Sequence, residues 1–491
     1  MEERENSIAD SPGTKPRRRR ANVAMFVALV VIPSLLVRLP LVLQSLWYDE
    51  IYTIFAYVVG PWHGIVAGSY LPNNHILYTL LSKCVYELTG QADPVSAARL
   101  VSVLAGSLVG LVVAWPVFAR GACAEAVIIG LLVGIHPWLV SISGQARGYA
   151  LLILLAAVST NLLRSRRWAS YTLATIASLY THPIGVMMLI GQGTALLLAF
   201  LFPRRDQSPD AIDVHSAGHV RKRSITRWFV SSAIAAGVTA LLYLPLLGGA
   251  TGYWSAPQAS SERSYVAFAI QSLAHAVGGQ ALSPQLPFAL ASIAIIVASL
   301  ALWRDHLPVR QCYVVFLCAS AFTLLVPVVF DALAELRATI WLLVPVSLGT
   351  YGLIKRLGPR TSRFAFAAAM LALFLLDVRV MRLPVQPIRD AIDVARSKAS
   401  SGQAVVGVYM GAAETRAVYG LDAVAYKLHA APGTAGIIEV EADLAQPPIL
   451  ISIFDPLMER DEPELWAYIR QHYPRTERLR GREGDVVVYM R

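Results

Sequence analysis

Charged residues are scarce in this sequence of 491 residues: they make up 15% of it, whereas 56% of the residues are hydrophobic. Soluble domains carry about 25% charged residues, so the composition excludes a soluble enzyme of this length, a disordered chain and a collagen-like chain. Cysteine is also rare, with 4 residues that all lie in apolar segments. This low count excludes a disulfide-rich scaffold and a zinc site built from cysteines.

Basic residues outnumber acidic ones by 42 to 32, which gives a formal net charge of +10. Residues 379–491 contain 14 basic and 15 acidic residues, so the positive excess lies wholly in the preceding part of the chain. There the basic residues fall between long apolar stretches, which favours membrane lipids over nucleic acid as partners. Because the composition changes near Asp377, we predict three regions: a basic cytoplasmic N-terminus over 1–22, a membrane domain over 23–377 and a soluble domain over 378–491.

Eleven apolar stretches in the membrane domain are candidates for membrane-spanning helices. With a few flanking residues, even the shorter ones can cross about 30 Å of hydrocarbon. They lie at residues 23–43, 95–118, 124–142, 149–163, 168–181, 184–202, 228–247, 286–303, 311–330, 339–354 and 364–377. The chain is therefore predicted to be mainly α-helical, a polytopic membrane protein with about 11 transmembrane helices.

The orientation depends on the segment 76–89, which is apolar but contains Lys83 and Glu87. If this segment lies on the membrane surface, the basic connectors, such as Arg164–Arg167, all fall on the same side as the arginine-rich N-terminus. The positive-inside rule identifies that side as the cytoplasm. We therefore predict a multi-pass protein of the bacterial plasma (inner) membrane, with an outer loop over 44–94 and the 378–491 domain outside.

The 378–491 domain mixes two hydrophobic periods. Apolar residues recur at helical spacing after Pro387, and a second helix is predicted over Glu462–His472. Short β-type runs occur at Ala404–Tyr409, Ile449–Phe454 and Val486–Tyr489. We predict a small extracytoplasmic α/β domain. No glycine-rich phosphate loop follows its first strand, so nothing in the sequence indicates a nucleotide-binding role.

Polar residues that a membrane disfavours gather, in this orientation, at the outer ends of the predicted helices. They are Asp49, Glu50, His75, Arg99, Arg147, His182 and Arg337. Ionisable groups at membrane depth are costly and commonly mark a binding site or pathway. Several cations and a carboxylate pair at one water interface suit an anionic headgroup and proton transfer.

Each of these residues also has a purely structural interpretation. Carboxylates can cap a helix, histidines can hold a loop by hydrogen bonds, and single arginines at helix ends commonly reach toward lipid headgroups. Arg38 differs because it lies inside the first predicted helix, where a charge requires a partner or a bound anion. Aromatic residues near the helix ends, including Trp47 and Tyr149, are typical of a membrane-interface belt.

Several short motifs follow one another along residues 24–350. They are Leu46-Trp47-Tyr48-Asp49-Glu50, Asn74-His75-Ile76-Leu77-Tyr78, Ala98-Arg99-Leu100-Val101-Ser102, Gln145-Ala146-Arg147-Gly148-Tyr149-Ala150-Leu151, Tyr180-Thr181-His182 and Leu242-Tyr243-Leu244-Pro245. In this order the chain resembles the GT-C-type integral membrane glycosyltransferases, in the branch of the protein O-mannosyltransferases and aminoarabinose lipid A transferases. It departs from that branch in the second motif, where His-Pro-Pro-Leu-Tyr is common.

The resemblance implies transfer of a sugar from a polyprenyl-phosphate donor to a lipid, glycan or protein acceptor on the extracytoplasmic side. By the same resemblance Asp49 is the catalytic base, with Glu50 as its neighbour and a second candidate acid. A carboxylate within hydrogen-bonding reach can take the proton of an attacking hydroxyl. Arginines can stabilise the phosphate that leaves, for which we expect Arg147 and Arg337 first, with Arg99 and Arg38 organising the site.

The remaining candidates are expected to line the substrate site or hold its loops. They are His75, Asn74, Tyr149 and His182. The histidines can contact phosphate or a divalent ion, but they lie too far apart in the sequence to support a metal site. No cofactor is certain, and a divalent metal ion is the one that these residues allow. The loop containing Tyr253, Trp254 and Arg263 is expected to act as a lid, and the 378–491 domain to present or select the acceptor.

Two other functional classes fit a polytopic chain. A transporter places charged residues and broken helices near the bilayer midplane, often in two related halves. Here the polar residues gather on one face and no internal repeat is visible. A ligase or polymerase of lipid-linked glycans is also polytopic. The Asp49-Glu50 pair directly after the first helix favours the transfer of a single sugar.

Overall fold

The computed structural model describes residues 14–68, 73–202, 214–247, 264–279, 282, 284–301, 310–330, 336–424 and 435–491. A helical segment corresponds to each of the eleven predicted apolar stretches. In chain order these are Thr14–Leu36 with Leu39–Val42, Pro94–Phe118, Cys123–Gly134 with Pro137–Ser143, Tyr149–Arg164, Trp168–Thr181, Val186–Leu201, Val214–Tyr243, Leu286–Ala301, Arg310–Phe330, Leu343–Lys355 and Pro359–Arg382. The predicted mainly α-helical membrane architecture is confirmed.

Seven helices in the described part of the chain are long and apolar enough to cross a membrane, and a bent pair raises the number to 8. That pair, Cys123–Gly134 and Pro137–Ser143, bends by 59°. The bend follows from Pro137, which begins the second helix and cannot continue the first. Tyr149–Arg164 and Leu286–Leu300 are apolar but shorter. The chain is a multi-pass membrane protein, and the count of 11 crossings stays a prediction.

The predicted outer loop is itself largely helical. It contains Tyr48–Thr53, a π-helical turn Ile54–Val58, Trp62–Val66 and Ile76–Leu88. The last of these has 13 residues, or about 20 Å at the usual helical rise, which is too short to span the hydrocarbon unaided. Its Lys83 is buried because the ammonium donates to the carbonyls of Val58 and Gly60, at 3.3 and 2.7 Å.

A main hydrophobic core holds the membrane helices together. It is formed by residues from the first, second and third helical segments together with the segments around 149–157, 312–319 and 340–351. Small residues let these helices approach closely. A Cβ added at Gly110 would lie 2.1 Å from the carbonyl oxygen of Gly130, so the contact requires glycine. The helix Tyr265–Ala276 lies where no helix is predicted.

The C-terminal region forms the predicted small α/β domain. Its five-stranded sheet has the order β2-β1-β3-β5-β4, with β1 Val405–Val408, β2 Ala423–Val424, β3 Ile449–Ser452, β4 Arg475–Leu479 and β5 Val486–Met490. Strands β2, β1 and β3 are parallel, and β5 is antiparallel to both β3 and β4. The helices are Ile388–Lys398, Ala412–Tyr419, Ala435–Ala442, Asp455–Asp461 and Pro463–His472.

The C-terminal domain shares a hydrophobic core with the outer loop. Leu46, Ile51 and Ile54 of the loop pack in one cluster with Ile392 and Ile451 of the domain. The helix that leads into the domain ends at Arg382, a few residues beyond the predicted boundary at 377. Because their cores are continuous, the domain and the motif around Asp49 form one packed unit.

Candidate active site

The acidic motif lies at the start of the short helix Tyr48–Thr53. The chain turns from the extended conformation of Trp47 into the helix, and the side chain of Glu50 accepts from the backbone N–H of Trp47 at 3.3 Å. This is the carboxylate half of a capping box, which satisfies an N–H that has no partner within the helix. Asp49 and Glu50 are neighbours in the sequence, but at this turn their side chains lie in different surroundings.

Glu50 is fully buried and paired with Arg99. Its two carboxylate oxygens accept from Nε and Nη2 of Arg99 at 2.8 and 2.9 Å, and Oε1 also accepts from the N–H of Ala146 at 2.7 Å. The other donors of Arg99 bind the carbonyls of Leu41, Val42, Gln44 and Ser45. With every donor of Arg99 occupied, the pair ties the first helix, the acidic motif and the Gln145–Arg147 turn together.

Asp49 lies among cations and is partly open to solvent, with its side chain 20% exposed. Its Oδ2 is 3.1 Å from Nη1 of Arg337 and 3.7 Å from Nη2 of Arg147, and its Oδ1 accepts from the amide of Asn73 at 3.3 Å. Arg337 lies 288 residues after Asp49 in the sequence, on a 3-10 helix, Leu336–Leu342. Asp49, Arg147 and Arg337 therefore form the cluster that the sequence predicts.

Aromatic rings support both arginines of this cluster. The guanidinium of Arg337 lies over the ring of Trp47 at 4.0 Å, and that of Arg147 lies 5.9 Å from the same ring and 5.7 Å from Tyr149. Trp47 and Tyr149 are both buried, so the prediction that they belong to an interface belt is wrong. Cation–π contacts fix the planes of the two guanidinium groups without using their hydrogen-bond donors.

The two predicted histidines meet beside this cluster. The ring of His75 lies 4.7 Å from Tyr149 and 4.6 Å from His182, both edge to face. Burial, and then the charge of Arg147, lowers the pKa of His75 well below its usual value and that of His182 to about 3. Both rings are therefore neutral at pH 7.

The hydrogen bonds of the two rings decide their tautomers. Nδ1 of His75 accepts from the N–H of Gly148 at 3.0 Å, and Nδ1 of His182 accepts from the N–H of Ile184 at 3.1 Å. Each neutral ring then carries its proton on Nε2 and has no lone pair left for a metal. Across the described residues there is no group of three His, Cys, Asp or Glu side chains that could hold a metal ion.

Several buried polar atoms around Asp49 have no hydrogen-bond partner among the described residues. They are Nε of Arg147, Nε2 of His75, Nε1 of Trp47 and both amide atoms of Gln145. Buried donors are normally satisfied, so a concentration of unsatisfied ones next to a partly open carboxylate is typical of a site completed by a ligand.

Two of the predicted site residues lie elsewhere. Arg38 is buried in the helix bundle, where its guanidinium donates to the carbonyls of Ser34 and Gly134, and the structure does not bring it into contact with Asp49. Asn74 holds the outer loop through a bond to the carbonyl of Ile65 at 2.9 Å. The predicted lid residues Tyr253, Trp254 and Arg263 lie outside the described residues.

The C-terminal domain contributes residues that no sequence motif had indicated. Glu483 pairs with Arg337, and the neighbouring Arg482 donates to the hydroxyl of Ser141. Burial would raise the pKa of Glu483, but the charge and hydrogen bond of Arg337 outweigh it and hold the pKa below its usual value. Gln386 accepts from the N–H of Tyr48 at 3.1 Å. The C-terminal domain thus holds both Arg337, through Glu483, and the acidic motif, through Gln386.

Comparison with known proteins was informative at the level of structure. No family model and no curated protein matches the sequence. The structure is similar to the crystal structure of apo ArnT from Cupriavidus metallidurans, with a TM-score of 0.51 and 14% identity over 95% of this chain and 97% of that one. The chain has the GT-C fold of membrane glycosyltransferases.

Two further solved structures with the GT-C fold align at lower scores. ArnT from Cupriavidus metallidurans bound to undecaprenyl phosphate has a TM-score of 0.43 and 15% identity over 95% of this chain and 97% of that one. The oligosaccharyltransferase of Archaeoglobus fulgidus, in complex with Zn and sulfate, has a TM-score of 0.48 and 11% identity over 91% of this chain and 71% of that one. The fold assignment rests on apo ArnT.

Proposed function

We propose that this protein transfers a sugar from a polyprenyl-phosphate donor to an acceptor on the extracytoplasmic side of the membrane. The observation that carries the proposal is the partly open carboxylate of Asp49 between Arg337 and Arg147, at 3.1 and 3.7 Å. Arg147 and His75, which contacts the adjacent Gly148, each have a buried donor without a hydrogen-bond partner among the described residues. The ArnT structure with bound undecaprenyl phosphate suggests the class of donor.

The chemistry is a displacement at the anomeric carbon of the donor sugar. An acceptor hydroxyl oxygen attacks that carbon, its proton passes to the carboxylate of Asp49, and the bond to the phosphate oxygen breaks. The polyprenyl phosphate leaves with an additional negative charge. Arg147 and Arg337 stabilise this charge, since guanidinium groups bind phosphate oxygens in a bidentate manner and stay protonated. A single displacement inverts the anomeric centre.

The other predicted residues have supporting roles in this proposal. Arg99 and Glu50 hold the acidic motif in place and do not contact substrate, because they satisfy each other. The Nε2–H of His75 donates to the sugar or phosphate. The acceptor is a lipid, glycan or protein that reaches Asp49 past the C-terminal domain, which contributes Glu483 to the site.

The test is release of polyprenyl phosphate from short-chain polyprenyl-phosphate sugars by the purified protein, with a range of sugars and acceptor extracts. Asp49→Asn should lower the rate by about 10²–10⁴-fold, the usual contribution of a general base, while donor binding survives. Asp393→Asn, on the exposed face of the helix Ile388–Lys398, is the matched control and should be unaffected.

One result would overturn the proposed activity, and a second would overturn only the role of Asp49. Binding of the donors without release, across all sugars and extracts, would favour a transporter or a ligase of lipid-linked glycans. Equal release by wild type and Asp49→Asn would keep the enzyme class but remove Asp49 as the base. The melting temperature and donor binding of Asp49→Asn serve as controls for folding. A variant that has lost only the chemical step keeps both, whereas an unfolded variant loses both.

A further inference from the structure

Two adjoining cavities lie together at one end of a pair of helices, and the candidate active site lies at the other end of the same pair. The helix Tyr149–Arg164 begins at the site and ends at the cavities, and Trp168–Thr181 begins at the cavities and ends next to His182. The first of these helices has 16 residues, which places the cavities about 24 Å from the site. They are therefore separate from the candidate active site.

The larger cavity, of about 750 Å³, is lined mainly by apolar side chains, including Leu163, Leu198, Ala199, Phe202 and Val314. This volume falls in the range of about 300–1,000 Å³ that small-molecule sites occupy. The smaller cavity, of about 350 Å³, is lined by Arg166, Trp168, Arg223, Ser224 and Arg227.

The two cavities share a wall formed by Arg166, Trp168 and Ser224. An apolar chamber that opens beside a cationic one matches a molecule with an acyl chain and an anionic headgroup. In the part of the chain that the structure describes, no carboxylate pairs with Arg166, Arg223 or Arg227. Three like charges gathered in one place repel one another unless an anion lies between them.

Unsatisfied donors at the same place point to a ligand independently of the charge. Nε1 of Trp168, in the shared wall, and Nε of Arg164, in the apolar cavity, are buried and have no hydrogen-bond partner among the described residues. Tryptophan and arginine at the ends of membrane helices are the residues that meet lipid headgroups. Basic pockets between helices on the cytoplasmic side bind the headgroups of anionic lipids.

We propose that this pair of cavities is a binding site for an anionic phospholipid of the cytoplasmic leaflet. The phosphate lies among Arg166, Arg223 and Arg227 and accepts from the indole of Trp168, and an acyl chain enters the apolar cavity beside Leu198 and Ala199. The site is distinct from the one for the polyprenyl-phosphate donor and does not depend on the proposed transfer activity.

The experiment is native mass spectrometry of the full-length protein in detergent, with titration of phosphatidylglycerol and of phosphatidylcholine. Wild type is expected to retain phosphatidylglycerol in preference to phosphatidylcholine. Arg223→Ala/Arg227→Ala should bind phosphatidylglycerol about 30-fold more weakly, the effect of removing two cation contacts to an anionic headgroup. The matched control is Arg360→Ala/Arg363→Ala, which removes the same charge from exposed positions outside both cavities.

A second variant tests the apolar cavity without changing any charge. Ala199→Trp fills the chamber from an exposed position on its wall and should lower retention of phosphatidylglycerol while inorganic phosphate still protects against thermal unfolding. Equal retention by Arg223→Ala/Arg227→Ala and Arg360→Ala/Arg363→Ala would overturn the proposal. So would equal retention of the two lipids by wild type, or protection by inorganic phosphate as strong as that by phosphatidylglycerol, which would indicate a free-anion site.

Discussion

Asp49 and Glu50 are neighbours in the sequence, yet each has a different kind of arginine partner. Glu50 and Arg99 are 1% and 2% exposed and use all their donors and acceptors on each other and on the backbone. Asp49 is 20% exposed, and Nε of Arg147 beside it is buried without a hydrogen-bond partner among the described residues. A carboxylate and arginine therefore form two different assemblies: a structural clamp, Glu50 with Arg99, and an open cluster, Asp49 with Arg147 and Arg337.

This comparison shows that burial and saturation, rather than charge, separate the two clusters. A closed ion pair has no capacity left for a ligand, and its value lies in fixing the elements it joins. A cluster with unsatisfied polar groups lowers the stability of the folded protein, and a ligand that binds those groups restores that stability.

The clamp is broken by Glu50→Gln. This change leaves the buried guanidinium of Arg99 without a counter-charge, and the free energy of unfolding should fall by about 3–5 kcal/mol. Chemical denaturation in detergent measures it. Asp49→Asn is the comparison variant and should keep most of the wild-type stability, because its carboxylate is partly solvated. Equal losses in the two variants would contradict the division between clamp and cluster.

Arg337→Gln removes one of the two arginines from the open cluster around Asp49. Removing one donor that stabilises developing charge should lower kcat by about 10²–10³-fold with little change in stability. Arg337→Lys should recover only part of the rate, because an ammonium cannot bind phosphate in a bidentate manner. Steady-state release of polyprenyl phosphate measures both, with the exposed Arg416→Gln as control. A Lys variant as fast as wild type would remove the bidentate role.

The neutral histidines beside the cluster make stability depend on pH. Their pKa values lie far below the usual 6.5, so the unfolded chain binds more protons than the folded one at mildly acidic pH. Stability is present above about pH 6.5 and is lost as the pH falls below it, by up to about 1.4 kcal/mol per pH unit for each histidine. Melting temperatures at pH 7 and 5 for wild type and His182→Gln measure it. The variant should show the shallower dependence.

Glu483→Gln tests whether the C-terminal domain acts on the Asp49 cluster through charge. It removes the charge that holds Arg337 from outside while leaving the arginine in place. A partly exposed pair contributes at most about 1 kcal/mol, so kcat should fall by up to about fivefold. Glu477→Gln breaks an exposed pair with Lys398 in the same domain and serves as control. Identical rates in both variants would argue that the domain acts only through packing.

The fold was largely predictable because its signals are local. Each of the eleven apolar stretches became a helical segment, and the strands at Val405–Val408, Ile449–Ser452 and Val486–Met490 match predicted runs. The strands that the sequence did not reveal are β2, with only two residues, and the edge strand β4, whose polar residues Arg475–Leu479 show no apolar face. Their pairing depends on the neighbouring strand rather than on their own pattern.

Part of the candidate cluster could be chosen from the sequence, but its arrangement could not. The structure brings together Asp49, Arg147, Arg337, His75, Tyr149 and His182, and their roles stay a prediction. Arg38 does not join them, because a buried arginine can equally be satisfied by carbonyls of its own helix bundle. Asn73, Trp47 and Glu483 gave no distinct signal, because an asparagine in a loop, a tryptophan at an interface and a glutamate in a soluble domain are all common.

The amino-acid sequence was sufficient to establish that this chain crosses a membrane many times and that a small α/β region follows at the C-terminal end. These properties depend on hydrophobicity, charge and period, which are written along the chain. It took the folded chain to establish which carboxylate is closed by an arginine and which is open, and that Glu483 meets Arg337. Those contacts join residues 49 (Glu50 and Arg99), 146 (Arg337 and Glu483) and 288 (Asp49 and Arg337) positions apart, and packing sets their distance and burial.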